Sequence, residues 1–67
     1  MTSLEALYDA MDFGTLAISH KLAGEPGKAA AAFTQARQAA SELGPLSLTA
    51  QALHVALEDA ERAEVEG

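Results

Sequence analysis

Two short breaks divide this chain of 67 residues into three segments. The first break is the sequence Gly-Glu-Pro-Gly at residues 24–27, and the second is Gly44 followed by Pro45. Glycine ends helices because it readily adopts the left-handed conformation, and proline stops a helix but fits the first turn of the next one. Alanine fills 16 positions and leucine 9, which favours helix between the breaks. We therefore expect a single all-α domain over residues 1–67, with three helices at about 3–23, 27–43 and 47–63.

The expected helix starts carry residues that suit the first turn. Thr2 and Glu5 have the spacing of a capping box, in which the two side chains accept hydrogen bonds from free backbone N–H groups. Pro26 is expected in the first turn of the second helix, where its missing N–H is no loss. Ser47 stands just before the third segment, where its hydroxyl is able to cap the third helix. Local sequence thus indicates where each helix begins.

The apolar residues of the first helix fall on two opposite sides. One stripe, which we expect to meet a partner helix within the chain, consists of Leu4, Tyr8, Met11, Thr15, Ile18 and Leu22, with Leu7 and Gly14 alongside. A second arc consists of Ala6, Phe13, Leu16 and Ala17. Because one neighbouring helix cannot cover both sides, the pattern predicts that an apolar face stays open in a single copy.

The second helix has one narrow apolar stripe, and the third helix again has two. The stripe of the second helix, whose small side chains favour close packing, consists of Ala29, Phe33, Ala36, Ala40 and Leu43. One stripe of the third helix consists of Leu46, Ala50, Leu53, Leu57 and Ala60, and the other of Leu48, Ala52, Val55 and Ala56. A small chain without cysteine lacks disulfides, so we expect it to gain stability as a homodimer or higher oligomer. The residues predicted to carry this association are Phe13, Leu16, His20, Leu48 and Val55.

Part of the first two segments resembles the tetratricopeptide repeat. The residues that keep the spacing of the repeat signature are Phe13, Leu16, Ala17, His20, Gly24, Ala29, Phe33 and Ala36. The chain departs from the family at His20, where tyrosine is preferred, and at Pro45, which comes several residues later than the family's terminating proline. The resemblance covers about residues 10–43 and implies a helical hairpin with the third helix as a cap. Because stacked repeats need several units, it also implies that another copy supplies the missing neighbours.

Charge and hydropathy argue against two classes of partner. The net charge is −6 and the four basic residues are dispersed, so we expect no binding to nucleic acid. No run of 18 apolar residues occurs, and the N-terminus lacks the basic and apolar regions of a secretory signal. We therefore expect a cytoplasmic protein that does not bind a membrane.

The chain offers little that resembles a catalytic or metal site. His54 and Glu58, four residues apart, form one pair of possible metal ligands, but a single pair is common by chance. We expect His54 and His20 to be polar groups of a helix surface or an interface. The four serines lack the glycine-flanked turn of a serine hydrolase. The prediction is a non-catalytic protein interaction module without cofactor or metal, whose partners are itself and possibly another protein.

Carboxylates near the C-terminus leave an alternative open. They are Glu58, Asp59, Glu61, Glu64 and Glu66. In that alternative, a small acidic regulatory protein uses them to bind a basic surface of a partner protein. A solvated helix face with a pair between Glu58 and Arg62 accounts for the same charges. Salt distinguishes the two, because it weakens exposed charge pairing more than apolar burial.

Overall fold

The computed structural model describes residues 3–64, which form three helices: α1 (Ser3–Leu22), α2 (Pro26–Ser41) and α3 (Leu48–Arg62). Within that range no residue belongs to a β-strand. The predicted all-α architecture of three helices is therefore confirmed, and each predicted helix boundary lies within two residues of the observed one. α1 and α2 form the most extensive helix pair, and α3 packs on α2 more than on α1.

Both turns place a glycine in the left-handed region of the backbone. Gly24 has φ of 76° and Gly44 has φ of 100°, and each follows the last turn of a helix. Pro26 begins α2, and the hydroxyl of Ser47 accepts a hydrogen bond of 3.1 Å from a backbone N–H three residues later. These local predictions are confirmed. The predicted capping box lies partly outside the described residues, because it begins at Thr2.

The core is built almost entirely from alanine. Nine alanines are buried, and the large apolar side chains buried with them in residues 3–64 are Phe33 and Leu57. Phe33 is 1% exposed and packs in one cluster with Leu57 and with alanines of α1 and α2. The predicted stripe of α2 is confirmed, apart from Leu43, which lies half-buried beyond the end of the helix.

The structure corrects the prediction for α1. The face that packs inside the chain consists of small residues, Ala6, Ala10, Gly14 and Ala17. The stripe of larger side chains that we expected there is exposed instead. The reason lies in the alanine-rich face of α2, because two helix backbones approach closely only where both carry small residues. α1 also approaches α3 closely at Gly14, since a Cβ added there would lie 3.2 Å from a methyl carbon of Leu57.

α3 turns one of its two predicted stripes inward. The buried or half-buried members of that stripe are Ala50, Leu53, Leu57 and Ala60. The prediction that Leu46 belongs to this inward stripe was wrong, because Leu46 is 91% exposed. α3 begins only at Leu48, so Leu46 lies in the preceding turn and does not share the helix face. The second stripe, with Leu48 and Val55, is exposed.

Two basic side chains from α1 and α2 hold the C-terminal end of α3. The ammonium group of Lys21 donates hydrogen bonds to the backbone carbonyls of Ala60 at 2.7 Å and Glu61 at 2.6 Å. Carbonyls in the last turn lack partners within the helix, and a cation there also complements the helix dipole. The guanidinium of Arg37 donates to the carboxylate of Glu61 at 2.8 Å. These contacts could not be predicted from local sequence patterns, because they join residues 24 to 40 positions apart.

Candidate interaction surfaces

The most extended exposed apolar feature of the described residues runs along the whole of α1, and we call it the α1 stripe. It consists of Leu4, Tyr8, Met11, Thr15, Ile18 and Leu22. Its five large members are between 43% and 67% exposed. The rise of 1.5 Å per residue gives the row a length of about 27 Å. A contiguous apolar row of this kind is typical of a contact surface, whereas isolated exposed apolar residues are ordinary.

A shallow groove between α1 and α3 widens this surface. Its volume is about 220 Å³, and it is lined by Met11 and Ile18 of the α1 stripe and by Ala56 of α3, among others. Leu48 and Val55 are 80% and 58% exposed and lie about half a helical turn away from the inward side of α3. These two predicted association residues therefore lie on the outer side of α3, and neither of them lines the groove between α1 and α3.

The other three predicted association residues lie in a second groove, between α1 and α2. Phe13, Leu16 and His20 line it together with Lys28 and Gln35, and its volume is about 240 Å³. Phe13 is half-buried and packs against the core, whereas Leu16 is 46% exposed. The structure thus brings three of the five predicted residues together. The two predicted residues of α3 do not line this groove.

Three charged or polar groups meet at the turn between α1 and α2. One carboxylate oxygen of Glu25 lies 3.0 Å from Nδ1 of His20, and the other lies 3.0 Å from Nζ of Lys28. The hydrogen bond with His20, followed by that with Lys28, holds the pKa of Glu25 below its ordinary value. His20 therefore has a structural role, because it joins the last turn of α1 to the residue that precedes α2.

This arrangement predicts how the stability depends on pH. Because folding lowers the pKa of Glu25, its contribution to stability is complete above the ordinary pKa of a glutamate and is lost as the pH falls through the lowered pKa. Glu25→Gln should therefore melt at a lower temperature than the unchanged chain at about pH 7, and the difference should be smaller at about pH 3. Thermal melts of both proteins at the two pH values measure this. An equal difference at both values would contradict the lowered pKa.

The carboxylates of α3 are partly engaged within the chain. Glu61 pairs with Arg37, and Arg62 donates to Asp59 at 2.8 Å. The predicted ion pair between Glu58 and Arg62 was wrong, because Arg62 pairs with Asp59 instead. The pair of Arg62 with Asp59 is largely exposed and that of Arg37 with Glu61 is partly exposed, so each contributes little to stability. Of the predicted acidic set, Glu66 lies outside the described residues.

The second histidine lies at the contact between α2 and α3. Nε2 of His54 is 3.4 Å from Oγ of Ser41, which is a long and therefore weak hydrogen bond. The Ser41 hydroxyl also donates to the backbone carbonyl of Arg37 at 2.9 Å. Within residues 3–64, no group of three or more histidine, aspartate or glutamate side chains lies close enough together to hold a metal ion.

No family model matches this chain, and neither a curated protein nor a solved structure matches it. The resemblance to the tetratricopeptide repeat therefore stays a prediction. Among the described helices, none has the length and apolar character needed to cross a membrane.

Proposed function

We propose that this protein is a non-catalytic interaction module that associates with protein chains through apolar helix faces, and that a second copy of itself is its first partner. The observation that carries this proposal is the distribution of large apolar side chains. Within residues 3–64, nine of them are exposed, whereas the core holds two. Water disfavours such a surface, so the molecule gains free energy when a partner covers it.

Burial of the α1 stripe accounts for most of the expected affinity. Each of its five large side chains is about half exposed, so covering one gains roughly 1 kcal/mol. Two copies together gain roughly 10 kcal/mol, which is comparable with the roughly 4–15 kcal/mol lost with translational and rotational freedom. At the low end of that cost the net gain is about 6 kcal/mol, so we expect a reversible complex that forms at tens of micromolar to millimolar concentration.

The packing of the three helices supports a hairpin of the tetratricopeptide type with α3 as its cap. Small residues of the predicted signature, Ala17, Ala29 and Ala36, are buried in one cluster with Phe33. α3 packs more on α2 than on α1, as the first helix of a following repeat would. The α1 stripe lies on a face that a preceding repeat would cover. A second copy that covers the α1 stripe would occupy the place of that preceding repeat.

The acidic alternative has less support. Two of its five carboxylates, Asp59 and Glu61, are already paired with arginines of the same chain. Pairing within the chain lowers the gain from a basic partner, because each carboxylate must first give up an existing contact. The apolar surface has no such internal partner, so we propose it as the primary binding surface.

A single substitution at the middle of the α1 stripe tests the proposal. Sedimentation or light scattering from about 10 μM to about 1 mM should show the mass of the unchanged chain rising from 6.9 kDa to at least twice that value. Met11→Glu should weaken the association at least about tenfold, because it places a carboxylate in a contact that excludes water. Met11 is half exposed in a single copy, so circular dichroism should show an unchanged fold.

Leu16→Glu and Val55→Glu are matched controls. They test the groove between α1 and α2 and the exposed stripe of α3, respectively. Each introduces the same carboxylate at a side chain that is exposed to a similar degree. We expect smaller losses for Val55→Glu, on the outer side of α3, and for Leu16→Glu, in the groove between α1 and α2. Normal association of Met11→Glu together with its loss in Leu16→Glu would move the binding surface to that groove. A folded chain that stays monomeric up to about 1 mM would refute self-association.

A further inference from the structure

We propose that the α1 stripe binds the α1 stripe of a second copy, with the two helices antiparallel and a twofold axis passing between Met11 and Thr15. This inference rests on the proposed function and names the partner and its orientation. The members of the α1 stripe are separated by four and three residues in turn, which is the spacing of a coiled-coil seam. Such a seam is narrow and fits one helix with the same spacing. The α1 helix of a second copy is such a helix.

The spacing reads the same in both directions, so two antiparallel copies stay in register. With the axis midway between Met11 and Thr15, the opposed residues are Leu4 with Leu22, Tyr8 with Ile18, and Met11 with Thr15. A twofold axis makes each of these contacts occur twice. Every member of the α1 stripe is then covered, and each layer of the seam contains at least one large apolar side chain.

The charges along α1 decide between the two orientations. Glu5, Asp9 and Asp12 all lie in its N-terminal half, and His20 and Lys21 lie in its last turn. Parallel copies would bring both acidic halves, and the like ends of both helix dipoles, to the same level. Antiparallel copies place the two acidic halves at opposite ends of the contact and oppose the two helix dipoles. Repulsion between the copies is therefore smaller in the antiparallel arrangement.

The available area is sufficient for a specific dimer. Five large side chains that are each about half exposed offer on the order of 500 Å² per copy, so two copies bury on the order of 1,000 Å². A total of about 1,000 Å² lies at the lower limit for a biological interface and is typical of weak complexes that form reversibly.

Cysteine cross-linking tests the orientation, and the chain has no cysteine of its own to interfere. In the antiparallel dimer, position 4 faces position 22 of the second copy, whereas the two copies of either position are about 27 Å apart. A mixture of Leu4→Cys and Leu22→Cys should therefore cross-link at least about tenfold faster than either variant alone. Leu46→Cys, in the exposed turn before α3, is the control and measures the rate of cross-linking by random collision. Both stripe positions are more than half exposed, so neither substitution disturbs the core.

Cross-linking of Leu4→Cys with itself, and of Leu22→Cys with itself, at a rate above that of the mixture would overturn the antiparallel arrangement in favour of a parallel one. Rates equal to that of Leu46→Cys in every mixture would also overturn it. The loss of association in Met11→Glu is measured separately. If that loss is found while the cross-linking fails, the proposed function stands and only the partner or its orientation is wrong.

A second measurement uses the one like-charge contact that the arrangement creates. Asp12 flanks the seam near the twofold axis, so it faces its own copy, whereas Asp9 lies on the far side of the helix from the seam. Asp12→Asn should tighten the dimer about twofold to threefold, and Asp9→Asn, which makes the same change in net charge, should have a smaller effect. Equal effects of the two substitutions would contradict the proposed register.

Discussion

Phe33→Ala is expected to unfold most of the chain at 25 °C. Phe33 is the largest fully buried side chain, and most of its buried neighbours are alanines that cannot fill the space it leaves. Removing a buried phenylalanine costs about 3–5 kcal/mol, which is most or all of the stability of a domain of this size. Circular dichroism at low protein concentration, combined with urea unfolding, should show loss of the helical signal or of the cooperative transition.

Leu46→Ala is the control for this prediction. It also shortens a large apolar side chain, but Leu46 is 91% exposed and should change the stability by no more than about 0.5 kcal/mol. Phe33→Leu refills part of the cavity, so its cost should lie between those of the other two variants. A melting temperature for Phe33→Ala within a few degrees of the unchanged chain would mean that Phe33 does not hold α1, α2 and α3 together.

Ala36→Leu should destabilise the protein by about 3 kcal/mol, although it adds apolar surface. Ala36 and Ala17 are both fully buried in the cluster around Phe33, and three further carbon atoms have no space there. The added side chain forces α1 and α2 apart or distorts their side chains, because a close-packed core cannot absorb extra volume. The melting temperature should fall by more than about 10 °C.

Ala30→Leu tests whether this effect comes from packing. It makes the same substitution on the exposed side of the same helix, and leucine and alanine have similar helix propensities. Its stability should change by no more than about 0.5 kcal/mol. If Ala36→Leu melts at the same temperature as Ala30→Leu, the contact between α1 and α2 is looser than the structure indicates.

The difference between Phe33 and the α1 stripe shows where sequence reasoning succeeded and where it failed. α2 has one apolar side, so its burial follows from periodicity alone, and the stripe containing Phe33 was predicted correctly. α1 has two apolar sides, and hydrophobicity alone favours the one with larger side chains. The structure buries a third face of small residues, which shares only Ala6 and Ala17 with the second predicted arc, because the alanines of α2 require a small-residue partner face. Predicting this requires knowledge of which helix faces which.

The positions of the five predicted association residues relative to one another were also not predictable, because the sequence does not show which helix faces which. Phe13, Leu16 and His20 were expected to act with Leu48 and Val55, but they lie in a groove on α1 and α2, and the two residues of α3 lie elsewhere. The α1 stripe was assigned to the interior and so was missing from the predicted surface. Whether a side chain is exposed depends on which neighbouring side chains cover it. This depends on how the helices pack, which the sequence pattern of one helix does not show.

The sequence by itself determined the three helices and their ends. Gly24, Pro26, Gly44 and Ser47 act on the backbone within a few residues of themselves, so their effects are readable without a fold. The tertiary structure alone decided which side of α1 is buried and that Lys21 and Arg37 hold the end of α3. These features depend on the distance between backbones and on contacts between residues far apart in the chain. Helix packing sets both, and periodicity within one helix carries no information about either.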